Sequence, residues 1–315
     1  MKKTKLFETA SIYRAPLEVY GYRFGEGRQD LAVVGSMRGD EIQQMFICSQ
    51  IVKQLKRIEE AGLFCKGRSV LVIPCVNPYS MNIGKRFWAM DDTDINRMFP
   101  GYDQGETTQR IAAGLCEHLQ GWQYGVHFTS FYMRGQFVSH VRMMETAFAD
   151  LEAAADFGLP FVVVRPPLPI DTTTLNYNWQ IWNTKAYTIF TRETSRIDVH
   201  SARQAVHAVL RFLAKKGVIR YKTDSGRVPI TLKENTLLNV NAPAGGLLRL
   251  AKSPGETVCE GDLLAEILDP YEGEVKSQLF APKDGTVYFC SADALVSQCQ
   301  ILMKIIPGVH SGVLI

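Results

Sequence analysis

The stretch from Asn77 to Gly101 contains basic and amide side chains that could bind a carboxylate. Arg86, Asn96 and Arg97 lie in it, and its glycines, proline and acidic run are typical of a loop. An arginine offers a planar fork of donors that matches the two oxygens of a carboxylate. The alternative is a solvated loop whose arginines pair with the nearby aspartates, and composition alone favours that alternative.

The order of residues in this loop narrows the choice. The motifs are Asn77-Pro78, Arg86, Asp94-Ile95-Asn96-Arg97 and Phe99-Pro100-Gly101. Together they resemble the substrate-binding loop of the succinylglutamate desuccinylase/aspartoacylase family, which is related to the zinc carboxypeptidases. The resemblance implies a zinc-dependent hydrolase that removes an acyl group from an N-acyl amino acid. It also implies that Arg86 and Arg97 grip the substrate carboxylate in one cavity that contains His127, while Asn96 positions it.

The metal site that the resemblance implies is only partly present. The family has a His-Gly-Asp/Asn-Glu run after the first buried strand and a second histidine at a later strand end, which together leave an open position for water. Here the first run reads Arg38-Gly39-Asp40-Glu41, and the later histidine is His127. A guanidinium has no lone pair for a metal, so Glu41 and His127 remain as zinc ligands, with His140 as a candidate third. The alternative is a metal-free site in which Arg38 forms a buried ion pair with Glu41.

The glutamate that serves as general base in the family is also missing at its expected position. The family's Thr-x-Glu-x-Gly segment corresponds to Thr188-Ile189-Phe190 and the residues after it, which puts Phe190 at the position of the glutamate. The nearest carboxylate is Glu193, the candidate catalytic residue, and a bulge or turn would have to bring it to the right face of the strand. The alternative is a solvated Glu193 that pairs with Arg192 or Arg196.

Two functions are therefore open. The resemblance favours a metal-dependent deacylase that acts on a small carboxylate-bearing substrate. The alternative is a carboxylate-binding protein on the same scaffold, in which Arg38 and Arg142 add to an anion pocket. Loss of the first histidine and of the general base favours this alternative, whereas the intact substrate loop favours the enzyme.

The elements that must position these residues follow from hydrophobic periodicity. Buried runs at Leu31–Gly35 and Ser69–Pro74 flank a helical pattern from Glu41 to Ala61, which predicts a βαβ unit. Further strands are predicted at residues 124–128, 160–165 and 186–191, and further helices at residues 109–119, 144–157 and 198–216. The predicted fold class is α/β, with a mainly parallel mixed sheet flanked by helices, and Arg38, Glu41 and His127 should meet at its carboxyl end.

The composition changes near residue 221. Short β-rich runs then alternate with Gly, Pro and Asp turns. This predicts a carboxypeptidase-like α/β domain over residues 1–220 and a small all-β domain, similar to a barrel sandwich, over residues 221–315. The resemblance implies such a C-terminal β domain as well.

Charge and cysteine content narrow the partners and the compartment. The 315 residues carry a formal net charge of +3 without a basic block, which does not favour nucleic acid or a membrane surface as a partner. No apolar run follows the basic start, so a signal peptide is not expected. Seven cysteines without a Cys-x-x-Cys pair are typical of reduced thiols. The expectation is a cytoplasmic protein, with zinc as the cofactor if the metal site is intact.

Overall fold

The structure is a computed structural model that describes residues 1–10 and 15–308. Its strands have the following bounds: β1 (Lys2–Thr9), β2 (Leu17–Gly25), β3 (Arg28–Val34), β4 (Arg68–Ile73), β5 (Tyr124–Phe128), β6 (Gly135–Phe137), β7 (His140–Met144), β8 (Phe161–Arg165), β9 (Lys185–Phe190), β10 (Ile230–Lys233), β11 (Leu238–Asn241), β12 (Gly246–Leu250), β13 (Thr257–Val258), β14 (Leu263–Leu268), β15 (Val275–Phe280), β16 (Gly285–Ser291), β17 (Leu295–Val296) and β18 (Ile301–Pro307). Its α-helices are α1 (Ile42–Glu60), α2 (Pro78–Asn82), α3 (Thr107–Leu119), α4 (Leu151–Ala155), α5 (Leu175–Ile181) and α6 (Val199–Lys215).

In the described part of the chain, nine strands form one large sheet in the order β1-β2-β4-β3-β5-β9-β7-β8-β10. The pairs β3/β4, β3/β5 and β5/β9 at its centre are parallel. The pairs β1/β2, β2/β4 and β7/β9 are antiparallel. The sheet is therefore mixed, and the expectation that it is mainly parallel is wrong because two antiparallel steps at the N-terminal edge and one beside β9 reverse the chain direction.

Helices cover both faces of this sheet. Leu31 and Val33 of β3 pack with α1 and α6 on one face, whereas Ala32 and Val34 pack with α3 and α5 on the other. Alternate residues of a strand point to opposite faces, so a strand covered on both sides reads as a continuous apolar run. The predicted βαβ unit is confirmed, with β3, α1 and β4 close to their expected bounds.

The prediction of one alanine-rich helix over residues 144–157 is wrong. The structure has the buried strand β7 up to Met144 and a short helix, α4, that begins only after Asp150. The side chain of Asp150 accepts a hydrogen bond from the backbone N–H of Ala153 and so caps α4. The predicted loop after Asn77 also begins with a short helix, α2, whose first turn is capped by the Asn77 side chain.

The C-terminal part consists of strands. One sheet contains β11, β18, β16 and β13, and a second contains β15, β14, β12 and β17. Strand β6 adds to β16 of the first sheet, while β10 adds to β8 of the large sheet. Each part therefore contributes a strand to a sheet of the other. The domain division at residues 220/221 stays a prediction, and so does the barrel-sandwich fold of the C-terminal domain.

None of the helices in the described residues has the length and apolar character that a membrane crossing requires. The seven cysteines all lie in the described part of the chain, and they form no disulfide there.

Candidate functional site

A cavity of about 600 Å³ lies where β3, β5 and β9 end. Its lining includes four of the side chains that the sequence analysis singled out for binding and one of the candidate metal ligands: Arg38, Asn96, Arg97, Arg142 and His127. Residues that follow strand ends reach it from several neighbouring strands, as expected for an α/β sheet. This cavity is the candidate functional site.

Arg38 is buried in the wall of this cavity and connects the end of β5 with the loop that carries Asp94. Its Nη1 donates to the backbone oxygen of Ser130 at 2.8 Å and to Thr129 Oγ1 at 3.2 Å. Its Nη2 donates to Asp94 Oδ2 at 2.7 Å, and Nε donates to the same oxygen at 3.2 Å. Burial opposes the charge, but Asp94 and then Glu41 raise the pKa of Arg38, so the guanidinium stays protonated.

Glu41 is fully buried beside Arg38, and its hydrogen bonds hold it ionised. Its Oε1 accepts from the Thr129 hydroxyl at 2.8 Å, from Ser130 N at 2.7 Å and from the Ser130 hydroxyl at 2.7 Å. Its Oε2 accepts from the backbone N–H of Arg38 at 3.1 Å. Burial alone would raise the pKa of Glu41, but the charge of Arg38 and the hydrogen bonds from Ser130 lower it.

His127 lies at the end of β5 and is fully buried. Its Nδ1 is 3.1 Å from Asn176 Oδ1, whereas Nε2 has no hydrogen-bond partner among the described residues. Burial lowers the pKa of His127 to about 4, so the imidazole is neutral at pH 7. Asn176 takes the orienting role that an aspartate has in many histidine sites.

Asn96 and Arg97 border the cavity from a 3-10 turn over Ile95–Arg97. Asn96 is buried, and its Oδ1 accepts from the backbone N–H of Leu175 at 3.3 Å. Arg97 is partly exposed, and its Nη1 donates to the backbone oxygen of Ile170 at 2.5 Å. Its nearest carboxylate is Asp171 at 3.8 Å, which already accepts two hydrogen bonds from Arg165. Arg97 therefore keeps donors for a ligand.

Arg86 does not line this cavity. Its Nη1 donates to Asp40 Oδ2 at 2.7 Å, and its Nη2 donates to the backbone oxygen of Phe131 at 2.7 Å. It lines a neighbouring groove between the large sheet and the C-terminal strands. The expectation that Arg86 and Arg97 converge is therefore not met, because Asp40 and a backbone carbonyl hold the Arg86 guanidinium on the other side of Ser130.

Arg142 lines the cavity, but it already has a carboxylate partner. Its Nη2 donates to both oxygens of Glu234, at 2.6 and 2.7 Å. Its guanidinium lies over the rings of Phe131 and Phe190, with the central carbon 5.2 and 5.9 Å from the ring centroids. Arg142 therefore contributes positive potential to the cavity wall, but its guanidinium is not free to bind a ligand carboxylate through two donors.

His140 does not join Glu41 and His127. Its Nδ1 is 2.8 Å from the backbone oxygen of Val138, and its Nε2 is 2.6 Å from the Tyr288 hydroxyl. Its ring stacks on Phe190. Both ring nitrogens are thus engaged at the junction between the large sheet and the C-terminal strands.

Glu193 also lies outside the cavity. It accepts a hydrogen bond from the Gln136 side chain and borders the same groove as Arg86. Phe190, which the sequence analysis placed at the position of the family's general base, lines the cavity instead. Glu193 follows β9, three residues beyond Phe190, and the chain there turns toward the groove. The role of Glu193 as a base stays a prediction.

The donors present do not fit a zinc ion. In the part of the chain that the structure describes, no three His, Cys, Asp or Glu side chains come together in a way that could hold a metal. The Arg38 guanidinium lies 3.5 Å from Glu41 Oε1, so a positive charge already stands beside this carboxylate. A cation beside one carboxylate and one imidazole opposes zinc binding.

Sequence reasoning missed several residues of the cavity. Arg165 and Asp171 form a bidentate pair at its edge, Asn176 orients His127, and Lys304 reaches in from β18. Arg165 stands at a predicted strand end, which was an available signal. Lys304 lies 177 positions after His127 along the chain, and nothing in the local pattern of β18 indicates a ligand site.

Comparisons with known proteins agree with this architecture. A family model described as the succinylglutamate desuccinylase/aspartoacylase catalytic domain matches residues 28–215. A curated relative, the N-alpha-acetyl-L-2,4-diaminobutyric acid deacetylase of Halomonas elongata, is 30% identical over 88 residues, which are 28% of this chain and 24% of the relative. The match thus spans about a quarter of that relative's length.

Solved structures share the fold over nearly the whole chain. A succinylglutamate desuccinylase/aspartoacylase from Rhodobacter sphaeroides superposes with a TM-score of 0.75 at 21% identity, covering 92% of this chain and 89% of the other. The product-bound ectoine utilization protein EutE (DoeB) from Ruegeria pomeroyi gives 0.75 at 18% identity, with the same coverage of 92% and 89%. A succinylglutamate desuccinylase from a Silicibacter species gives 0.78 at 17% identity, covering 96% and 93%. At these identities the likeness shows the fold alone.

Proposed function

The chain belongs to the succinylglutamate desuccinylase/aspartoacylase family, and we propose that it binds a small carboxylate-bearing ligand of the N-acyl amino acid class in the cavity bordered by Arg97. The ligand carboxylate pairs with the Arg97 guanidinium and lies near the Asn96 side chain. The rest of the ligand extends toward Phe131 and Phe190.

The observation that carries this proposal is the surplus of positive charge in the cavity wall. Among the described residues, five cationic side chains line it against two carboxylates; the cations are Arg38, Arg97, Arg142, Arg165 and Lys304, and the carboxylates are Asp171 and Glu234. Arg38 has two carboxylate partners, Asp94 and Glu41, which do not line the cavity. They reduce the surplus of positive charge without removing it. A concave site with fixed positive charge raises the local concentration of anions.

The chemistry of the cavity supports binding more than hydrolysis. Hydrolysis of an amide requires activation of a water molecule and a base to take its proton. By the resemblance of the sequence to the family, Phe190 occupies the position of that base, and Arg38 occupies the position of the first imidazole. Neither group can accept a proton at neutral pH.

Deacylation is the second candidate function, and a specific observation favours it. The family model covers the whole segment from β3 to α6, and the curated relative is by its name a deacetylase of an N-acetylated amino acid. Both candidates share one ligand class. Release of the free amino acid from the bound ligand would indicate deacylation, whereas its absence would indicate binding alone.

The test compares wild type with Arg97→Lys by titration calorimetry, with N-acetyl and N-succinyl amino acids as the probes. Lysine keeps the charge but loses the fork of donors, so affinity should fall by roughly one to two powers of ten, corresponding to about 1.5–3 kcal/mol. Arg203→Lys, at an exposed position on α6, is the matched control and should bind as wild type does. Equal affinities for wild type and Arg97→Lys, or no binding by wild type, would contradict the proposal.

A further inference from the structure

Arg38 is the cation around which the candidate site is assembled. Its guanidinium contacts two carboxylates that come from different parts of the chain, Glu41 at the start of α1 and Asp94 on the loop, at 3.5 and 2.7 Å. Its Nη1 also donates to the backbone oxygen of Ser130 after β5. The side chain is 6% exposed, so these contacts are sheltered from water.

We propose that the guanidinium of Arg38 takes the place of a metal ion in this protein, as a fixed cation that holds Glu41 and Asp94 together, so that the site binds its carboxylate ligand without any metal. The part of this inference that concerns the ligand rests on the proposed function. Arg38 acts here as a positioning residue, because its donors are already used by protein acceptors.

The link from Arg38 to the ligand runs through Asp94. Asp94 Oδ2 accepts from Arg38, and Asp94 Oδ1 accepts from the backbone N–H of Asn96 at 3.1 Å. The carboxylate therefore caps the 3-10 turn that presents Asn96 and Arg97 to the cavity. When Arg38 is removed, Asp94 loses the partner that ties this turn to the sheet.

The link from Arg38 to the sheet runs through Glu41. Glu41 is 0% exposed, and a carboxylate so deeply buried is stable as an anion only beside a cation and several hydrogen-bond donors. The Ser130 N–H, the Thr129 hydroxyl and the guanidinium of Arg38 provide these. With its oxygens satisfied in this way, Glu41 has no need of a metal.

If the guanidinium of Arg38 takes the place of a metal ion, replacing Arg38 by histidine should let a zinc ion bind in its place. In Arg38→His, the guanidinium is gone and an imidazole joins Glu41 and His127, whose Nε2 lacks a partner within the described residues. Two imidazoles and a carboxylate are a set that zinc accepts. Wild type should take up no stoichiometric zinc, whereas Arg38→His should take up one zinc ion per chain.

Zinc titration calorimetry on chelator-treated protein measures this directly, and Arg57→His is the matched control. Arg57 is exposed in the last turn of α1, far along that helix from Glu41, so a histidine there should leave zinc uptake at zero. Stoichiometric zinc in wild type, or none in Arg38→His, overturns the inference. Thermal unfolding of each variant, with and without zinc, shows whether the variant is folded; if Arg38→His does not fold, the zinc uptake of wild type decides alone.

Ligand titrations of the same proteins complete the test. With an N-acetyl or N-succinyl amino acid as the probe, wild type should bind equally in chelator and in zinc. Arg38→His should bind at least about tenfold more weakly without zinc and return to within about threefold of wild type with zinc, since one charge-assisted contact corresponds to roughly a tenfold change. A folded but weak variant that zinc does not rescue contradicts the inference. If wild type binds no probe in any state, the proposed function fails, and the zinc titration still decides the role of Arg38.

Discussion

Two histidines of this protein are kept neutral by their surroundings. Burial lowers the pKa of His127 to about 4 and that of His140 to about 3, from an ordinary value of 6.5. His140 stacks on Phe190 and bonds to Tyr288, so it belongs to the packing between the two parts of the molecule. Neither imidazole changes its charge near neutral pH in the folded state.

These shifts predict a loss of stability in acid. Unfolded chains bind a proton at histidine near pH 6.5, whereas the folded protein binds it at His140 only near pH 3, so the unfolded state holds more protons in between. Stability is therefore lost as the pH falls through this window. Each buried histidine should contribute about 2 kcal/mol to the loss between pH 7.5 and 5.

Urea unfolding of wild type and His140→Gln at pH 7.5 and 5 measures this contribution. Glutamine can still accept a hydrogen bond from the Tyr288 hydroxyl but does not titrate, so the variant should lose about 2 kcal/mol less than wild type on going to pH 5. The comparison concerns the difference between the two pH values and not the absolute stability of the variant. Equal losses in the two proteins would show that His140 is not held neutral.

At the residue scale, the sequence predicted the members of the site better than their partners. Arg38, Asn96, Arg97 and His127 were singled out, and all of them line one cavity. The placement of Arg86 could not be predicted, because a local pattern does not reveal that Asp40 holds the guanidinium. His140 failed to join the other histidine for a similar reason: its partner, Tyr288, lies 148 positions away.

At the element scale, the loop between α2 and α3 depends on Asp94 for its attachment. The Asp94 carboxylate caps the turn that carries Asn96 and accepts two hydrogen bonds from Arg38. Asp92 lies on the same loop, 74% exposed, beside Lys85. The two aspartates thus form a natural pair for comparison.

Asp94→Ala should release this loop, whereas Asp92→Asn should not. We expect faster amide hydrogen exchange over residues 94–97 in Asp94→Ala, and ligand affinity lower by roughly tenfold, since a cap and a charge-assisted pair are lost. An exposed ion pair contributes little, and asparagine tolerates the positive φ of 55° at this position as aspartate does, so Asp92→Asn should match wild type. Unchanged exchange in Asp94→Ala would mean that the loop is held by its apolar contacts alone.

The elements that the sequence predicted well are those with long, regular patterns. The strands β3, β4 and β5 and the helices α1 and α6 were recognised because continuous apolar runs and a helical period mark them. The helix predicted from Met144 was misplaced, because its alanines favour a helix. In the structure, pairing of β7 with β8 and β9 keeps the chain extended up to Met144. The antiparallel pair of β1 and β2 was missed, since the polar residues of both strands mask their apolar pattern.

At the scale of the whole molecule, the two parts are joined by exchanged strands and an aromatic cluster. Strand β6 pairs with β16 of the C-terminal part, and Phe137 of β6 packs its ring against Phe289 at 4.8 Å. Phe289 is fully buried. The cavity also draws Glu234 and Lys304 from the chain beyond residue 220, so the site requires both parts.

This joint predicts that the protein unfolds as one cooperative unit. Phe289→Ala should lower the free energy of unfolding by about 3–5 kcal/mol and shift a single calorimetric transition as a whole. Phe280→Ala, at a phenylalanine that is 50% exposed on β15, is the control and should have a much smaller effect. A second transition that moves alone in Phe289→Ala would show that the two parts unfold independently.

Under the proposed function, this member of the family binds an N-acyl amino acid and leaves its amide bond intact without metal. Proton NMR of an N-acetyl or N-succinyl amino acid, mixed with chelator-treated protein, observes both events in one sample. We predict saturation transfer from the protein to the ligand, with no signal of the free amino acid after prolonged incubation and weaker transfer with Arg97→Lys. Free amino acid that accumulates in proportion to the protein concentration, or an absence of transfer to any of these ligands, would contradict the account.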